Sequence, residues 1–188
     1  MFVNKKLLSL ALGLLFFGSA NATVVTFDDL GSGNNLVSAG YQGLNWTGIY
    51  TLNNNWGYGN HAVSGAGYVY GGCCGSSDTI STNSGTFDLV NGYFSTLQNY
   101  GAQFNVYGYL GGLEIYSKTI STSAAPSLIN FEFLGVDRVV FQSSYVANLA
   151  IDNLQISTAN RVPEPNSIAL LCLGLVGACL SRRKSKQQ

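Results

Sequence analysis

Aromatic and amide side chains crowd one stretch of this chain. Trp46, Tyr50, Trp56, Tyr58, Tyr68 and Tyr70 fall within a short span, and Asn53-Asn54-Asn55-Trp56-Gly57-Tyr58 reads as a polar loop carrying exposed aromatics. A sugar ring is held by a flat aromatic face with Asn, Asp or Gln hydrogen bonds at its rim. Trp46, Trp56 and Tyr58 are the candidates for that role, because binding residues gather on loops held by a rigid scaffold. The competing use of the same residues is packing, since Tyr and Trp fill the interior and cover the faces of any β-sandwich.

Other chemistries find less support. A Ser-His-Asp triad would need His61, the single histidine, and Gly59-Asn60-His61-Ala62-Val63 has no G-x-S-x-G nucleophile elbow. His61 is expected on a turn or the surface. A glycosidase needs two carboxylates on one cleft with one held protonated. The glutamates of the central region, Glu114 and Glu132, both read as solvent-facing. Catalytic zinc needs about three protein ligands, which one histidine does not supply. Cys73-Cys74 sits between Gly71-Gly72 and Gly75-Ser76-Ser77, and in an oxidising exterior a vicinal disulfide is its first intramolecular option. Free thiols and intermolecular pairing are the alternatives. The chain is expected not to be an enzyme.

These residues must be positioned by a body that is shorter than the 188-residue chain. The N-terminus has the three parts of a secretory signal peptide: Lys5 and Lys6, an apolar stretch from Leu7 to Phe17, and a small-x-small site at Ala20-Asn21-Ala22. Cleavage after Ala22 assigns residues 1–22 to the signal peptide and starts the body at Thr23. At the other end, Pro163 and Pro165 interrupt any strand, and a mostly apolar run follows. It is at the short end for a membrane span. The basic cluster behind it belongs on the cytoplasmic side.

The body, residues 23–160, is large enough to bury a core. It holds Asp28, Asp29, Asp78, Asp88, Glu114, Glu132, Asp137 and Asp152 against Lys118 and Arg138, so it is mildly acidic and the neutral whole-chain charge comes from the basic ends. Nucleic acid is excluded as a partner on that balance. Hydrophobic content of 46% excludes disorder as the main state. Period-two alternation dominates. It predicts strands near 23–28, 44–50, 62–70, 86–95, 102–110, 113–120, 127–133, 136–141 and 149–157. Asn- and Gly-rich turns separate them, with Gly111-Gly112 as the clearest hairpin. The expected fold is all-β: a single jelly-roll-like sandwich of about nine strands. Alternation predicts Leu113, Ile115, Phe131, Phe133, Val139 and Phe141 facing in.

The tail carries a resemblance. Val162-Pro163-Glu164-Pro165, a short apolar helix at about 166–181 containing Gly174 and Gly177, and the basic tail 182–186 with Arg182-Arg183-Lys184 resemble the PEP-CTERM sorting signal of Gram-negative bacteria. The resemblance assigns residues 161–188 to sorting. It implies exosortase as a processing partner, a transient transmembrane anchor, cleavage near Pro163-Glu164-Pro165, and a final place on the cell surface or in the exopolysaccharide matrix. The Lys184–Gln188 extension is slightly longer than a bare arginine cluster.

A looser resemblance covers the body. Thr26-Phe27-Asp28-Asp29-Leu30 and Tyr41-Gln42-Gly43-Leu44-Asn45-Trp46 resemble the opening of secreted β-sandwich domains in such proteins. The closing Leu149–Ile156 is similar to the last strand of carbohydrate-binding-module-like jelly rolls. That resemblance implies a structural calcium ion. First and last strands lying together would bring Asp28 or Asp29 near Asp152, with backbone carbonyls completing a shell of hard oxygens. The combined expectation is a secreted, non-catalytic module that binds extracellular polysaccharide or builds the matrix. A protein-binding surface domain is the alternative, and a secreted hydrolase is the remaining one.

Overall fold

The computed structural model describes residues 22–31, 33–71, 76–98, 100–143 and 147–158. The expected signal peptide up to residue 21, Cys73 and Cys74, and the sorting tail with its expected apolar helix lie outside the described residues.

Among the described residues, eleven strands form two antiparallel sheets. They are β1 (Thr23–Val25), β2 (Asn45–Thr47), β3 (Ile49–Asn53), β4 (Gly67–Gly71), β5 (Ser77–Ser81), β6 (Phe87–Thr96), β7 (Ala102–Leu110), β8 (Leu113–Thr122), β9 (Ser127–Val136), β10 (Arg138–Ser143) and β11 (Leu149–Ser157). One sheet runs β3-β4-β11-β6-β9 with β1 also on β11, and the other runs β2-β5-β10-β7-β8. Two layers are what alternating strands require, because each sheet has one apolar face to hide. The main core lies between them. Phe87, Leu89, Phe94, Val106, Phe133, Val139, Phe141 and Leu154 are buried there, and Phe131 meets Phe94 edge-on with ring centres 5.2 Å apart.

First and last strands do pair: Thr23 faces Ile156 and Val25 faces Leu154. β11 shares this edge between two partners. Its first half pairs with β4 through Ala150 and Ile151, and its second half pairs with β1. The changeover falls at Asp152-Asn153, where the register against β6 shifts and Asn153 takes φ +47°.

The structure corrects several sequence expectations. The strand expected over 44–50 is broken at Gly48, which takes φ +77°, and its halves β2 and β3 join different sheets. The strand expected from Ala62 begins only at Gly67, and β5 had no counterpart in the alternation pattern. Asp28 and Asp29 lie on a single 3-10 turn, Asp28–Leu30, after β1 has ended. Leu113 and Ile115 are exposed. Gly108 pairs with Tyr116 and Tyr109 with Glu114, which leaves Ile115 as the extra residue of a bulge. One extra residue reverses the faces on either side of it. Past the bulge, Tyr116 stacks on Phe133 at 4.9 Å and Ile120 is buried. Phe131, Phe133, Val139 and Phe141 are buried as expected.

Candidate functional site

Trp46 belongs to the core. It is 5% exposed and stands opposite Ile80 of β5. Its ring meets Phe27 edge-on, with centroids 5.6 Å apart and planes at 88°. Its Nε1–H donates to the Tyr41 carbonyl at 2.9 Å. A side chain so enclosed has no face to offer a ligand, so Trp46 leaves the set of expected sugar-binding residues. Trp56 and Tyr58 remain at 49% and 53% exposure.

Both sit on the long β3–β4 connection, residues 54–66, beside the outer face of the six-stranded sheet. Alternation along β4 explains why this face can be covered. Val69 points into the main core, whereas Tyr68 points the other way into a second small cluster with Leu52, Leu97 and Ala150, packed by Ala62 and Tyr70. Beside that cluster, Tyr50 and Tyr70 face each other across β3 and β4 with rings stacked at 5.6 Å and 27°. The Tyr70 hydroxyl donates to Asn34 Oδ1 at 2.7 Å. Tyr58 is close enough that its charge would push both Tyr68 and Tyr70 upward in pKa, although burial is the larger cause for each. Tyr50 and Tyr70 thus form a stacked pair near Tyr58, and Trp56 precedes Tyr58 on the same loop.

Hydrogen bonds hold the loop from several strands. Asn54 N–H donates to the Ala66 carbonyl at 3.1 Å, closing the base. Asn53 Oδ1 accepts from Asn55 N–H at 3.1 Å, which caps the 3-10 turn Asn54–Trp56. Asn54 Oδ1 accepts the N–H groups of His61 and Ala62, each at 3.1 Å. Such side-chain acceptors replace the ladder partners that an irregular segment lacks.

His61 is buried at 3% exposure, which corrects the expected surface position. Its Nε2 lies 2.8 Å from the Tyr58 carbonyl and its Nδ1 lies 2.9 Å from Ser95 Oγ. A carbonyl only accepts, so Nε2 carries the hydrogen, and in the neutral ring Nδ1 then accepts from the Ser95 hydroxyl. The ring therefore ties the segment carrying Tyr58 to β6. Ser95 is 1% exposed, so the pair is walled off from any substrate.

The three aspartates expected to hold calcium are brought to one end of the body and used differently. Asp152 Oδ2 accepts the N–H groups of Val63 at 2.6 Å and Ser64 at 3.1 Å, and its Oδ1 accepts that of Asn153 at 2.7 Å. Asp28 Oδ1 accepts the N–H groups of Ala66 and Gly67, each at 2.9 Å. Asp29 Oδ1 accepts from the Tyr41 hydroxyl at 2.7 Å. Among the described residues no group of three or more His, Cys, Asp or Glu side chains could hold a metal ion. Both oxygens of Asp152 and one oxygen each of Asp28 and Asp29 already face N–H or O–H donors. Burial pushes the Asp152 carboxyl above its ordinary value, its three N–H donors pull it down, and the Asp28 charge pushes it up, with a net upward result. Sequence reasoning did not find His61, Asn54 or Tyr70 as site residues. Asn54 had a signal, since an Asn run beside glycines is a common source of backbone-capping side chains.

With the fold and loop in place, comparison with known proteins adds two findings. Residues 161–184 match the PEP-CTERM protein-sorting motif, which marks a secreted protein processed by exosortase at the cell surface. The body has the two-sheet fold of a DUF4465 family protein from Bacteroides caccae, with TM-score 0.55, 11% identity, and coverage of 72% of this chain and 98% of that one. The K2 cleaved adhesin domain of Lys-gingipain gives TM-score 0.49 at 13% identity, covering 75% of this chain and 100% of that one. A family 29 carbohydrate-binding module from Piromyces equi gives 0.45 at 15% identity, covering 78% and 96%. At these identities the likeness is one of fold. No curated protein matches the chain.

Proposed function

We propose that the body is a non-catalytic glycan-binding module of the extracellular polysaccharide matrix, delivered there by its sorting tail. In this reading the signal peptide is removed after Ala22, the apolar run 166–181 holds the chain in the membrane, and exosortase cuts near Pro163-Glu164-Pro165. Val162 and the cluster Arg182-Arg183-Lys184 complete the recognised signal. The observation that carries the binding assignment is the pair of exposed aromatics, Trp56 and Tyr58, on a loop fixed by hydrogen bonds beside the stacked Tyr50 and Tyr70. Aromatic faces held rigidly lose little conformational entropy when they meet a ring. Asn55 and Asn60 stand nearby in the chain, and Asn34 at the Tyr70 hydroxyl, as hydrogen-bonding groups for sugar hydroxyls.

The non-catalytic part rests on the side chains that would otherwise do chemistry. Glu114 and Glu132 are both exposed. His61 and Ser95 are spent on each other, and Asp152 is spent on backbone N–H groups.

The test uses residues 22–158, which contain every described member of the core. This body is screened on a glycan array that includes the host exopolysaccharide, with calcium and again with chelator. Binding that is lost in Trp56→Ala and unaffected by chelator supports the reading. Chelator-sensitive binding restores an ion to the loop end. No binding by a folded body removes the sugar assignment and leaves a protein-binding surface domain.

A further inference from the structure

At the far end of β6 from the aromatic loop, an open polar groove of about 410 Å³ is formed by the β5–β6, β7–β8 and β9–β10 turns. Phe87, at the start of β6, adjoins it, and Ser95 meets His61 under the loop. Eight residue steps of strand separate those two positions by roughly 25 Å, so the groove and the aromatic loop are independent sites.

The groove contains Arg138, one of the two described basic side chains of the body. The other, Lys118, spends its ammonium on the Asn130 carbonyl at 2.6 Å and on the Phe131 ring at 5.8 Å. The Arg138 guanidinium lies 4.3 Å from the centre of the Tyr109 ring. Register explains the contact: Arg138 stands opposite Ser81 on one side and Tyr109 on the other, so all three share the outer face of the five-stranded sheet. A guanidinium held over an aromatic ring is pre-oriented, and its fork of N–H donors matches a carboxylate in two bonds.

The surrounding turns are fixed. Thr82 N–H donates to the Asp137 carbonyl at 3.0 Å and Asp137 N–H donates to the Tyr109 carbonyl at 2.9 Å. Gly111 N–H donates to Asp137 Oδ2 at 2.6 Å, which ties the β7–β8 turn to the β9–β10 turn. Asn83 uses its Oδ1 for Asn45 at 2.8 Å, and its amide hydrogens remain as donors. Hydroxyls of Ser81 and Ser84 complete the rim. One guanidinium over an aromatic ring, the Asp137 carboxylate as an acceptor and several neutral donors suit a ligand with a single carboxylate and adjacent hydroxyls.

We propose that this groove binds a hexuronate residue of an acidic polysaccharide, with Arg138 holding the carboxylate. The site is separate from the aromatic loop and stands or falls without it.

The experiment measures binding of residues 22–158 to tetragalacturonate and to a neutral galactose tetrasaccharide by calorimetry, at low and at moderate salt. Tetragalacturonate is expected to bind and the neutral tetramer to bind at least tenfold more weakly, with the difference shrinking as salt rises. Arg138→Gln is expected to lower affinity about tenfold to a hundredfold, the worth of hydrogen bonds to a charged group. Asn83→Asp keeps the oxygen that Asn45 uses and places a negative charge at the rim, and it is expected to weaken binding comparably. Trp56→Ala is expected to leave uronate affinity unchanged. No uronate binding by the unsubstituted body, equal affinity for the neutral tetramer, or full affinity in a folded Arg138→Gln and in Asn83→Asp overturns the proposal.

Discussion

Asp28 and Asp152 grip consecutive stretches of one loop. Asp152 takes the N–H groups of Val63 and Ser64 at 2.6 and 3.1 Å, and Asp28 takes those of Ala66 and Gly67 at 2.9 Å each. The two lie where β1 and β4 meet along β11, a gap that leaves backbone donors without strand partners. A buried N–H must be satisfied by something, and here carboxylates do it. The aromatic loop therefore depends on two like charges held near one another.

That dependence has a pH signature. Asp152 binds its proton more tightly in the folded chain than in the unfolded one, because burial and the Asp28 charge outweigh the N–H donors. The stability contributed by this group is fully present below the ordinary value of 3.8 and is lost as pH rises through the raised folded value. Asp152→Asn removes the titration. It also turns an amide NH2 toward N–H donors, and is expected to cost about 1–3 kcal/mol for the bonds left unmade. Thermal midpoints measured against pH should show the unsubstituted body losing part of its advantage over Asp152→Asn as pH climbs. A difference that grows with pH contradicts the assignment.

Gly65 tests the same clasp from the loop side. It takes φ +52° and a Cβ there would run into the Asp28 carboxylate. Gly65→Ala therefore combines left-handed strain, about 1–2 kcal/mol, with displacement of an anchor. Hydrogen exchange should accelerate at Ala66 and Gly67 while the β6 and β7 amides keep their protection. Uniform acceleration across the sandwich would mean that the loop is not a separate unit.

Much of the fold was legible because apolar residues recur at period two along most of each long strand, without a break in β7. β7 and β11 fall where the pattern places them, at 102–110 and 149–157. What escaped reading has local causes. β5 has Ile80 as its buried apolar residue among Ser, Asp and Thr, too weak a pattern to announce a strand. The Gly48 break was hidden because Trp46 and Ile49 both face the core, each from its own sheet. The Ile115 bulge is a register event that a single strand does not reveal. At the site, the Asn-rich, Gly-flanked setting of Trp56 and Tyr58 did predict exposure. Trp46 could not be separated from them, because the same residue type serves both places. The anchoring role of the aspartates was illegible, since a carboxylate that caps backbone N–H groups and one that binds calcium look alike until the loop is in place.

Tyr68 gives a test of the second small core. Its hydroxyl is buried and has no hydrogen-bond partner among the described residues, and burial pushes its pKa strongly upward. An unpaired buried hydroxyl costs free energy, so Tyr68→Phe is expected to be neutral or to stabilise the body by up to about 1 kcal/mol. Chemical denaturation with an unchanged slope would measure it. A loss of more than 1 kcal/mol would reveal a partner for this hydroxyl.

The division between packing and presenting aromatics gives the widest contrast. Trp46 is enclosed by Phe27 and Tyr41, and Trp46→Ala empties a cavity the sheets are unable to close. The expected cost is about 3–5 kcal/mol, against a total stability of about 5–15 kcal/mol for a typical domain. Trp56 and Tyr58 are half exposed, and substitution of each by Ala is expected to change stability by no more than about 0.5 kcal/mol. If the loop exists to display them, these two variants lose sugar affinity at constant stability. A Trp56→Ala variant that unfolds as readily as Trp46→Ala would make Trp56 a packing residue and remove the central support for glycan binding.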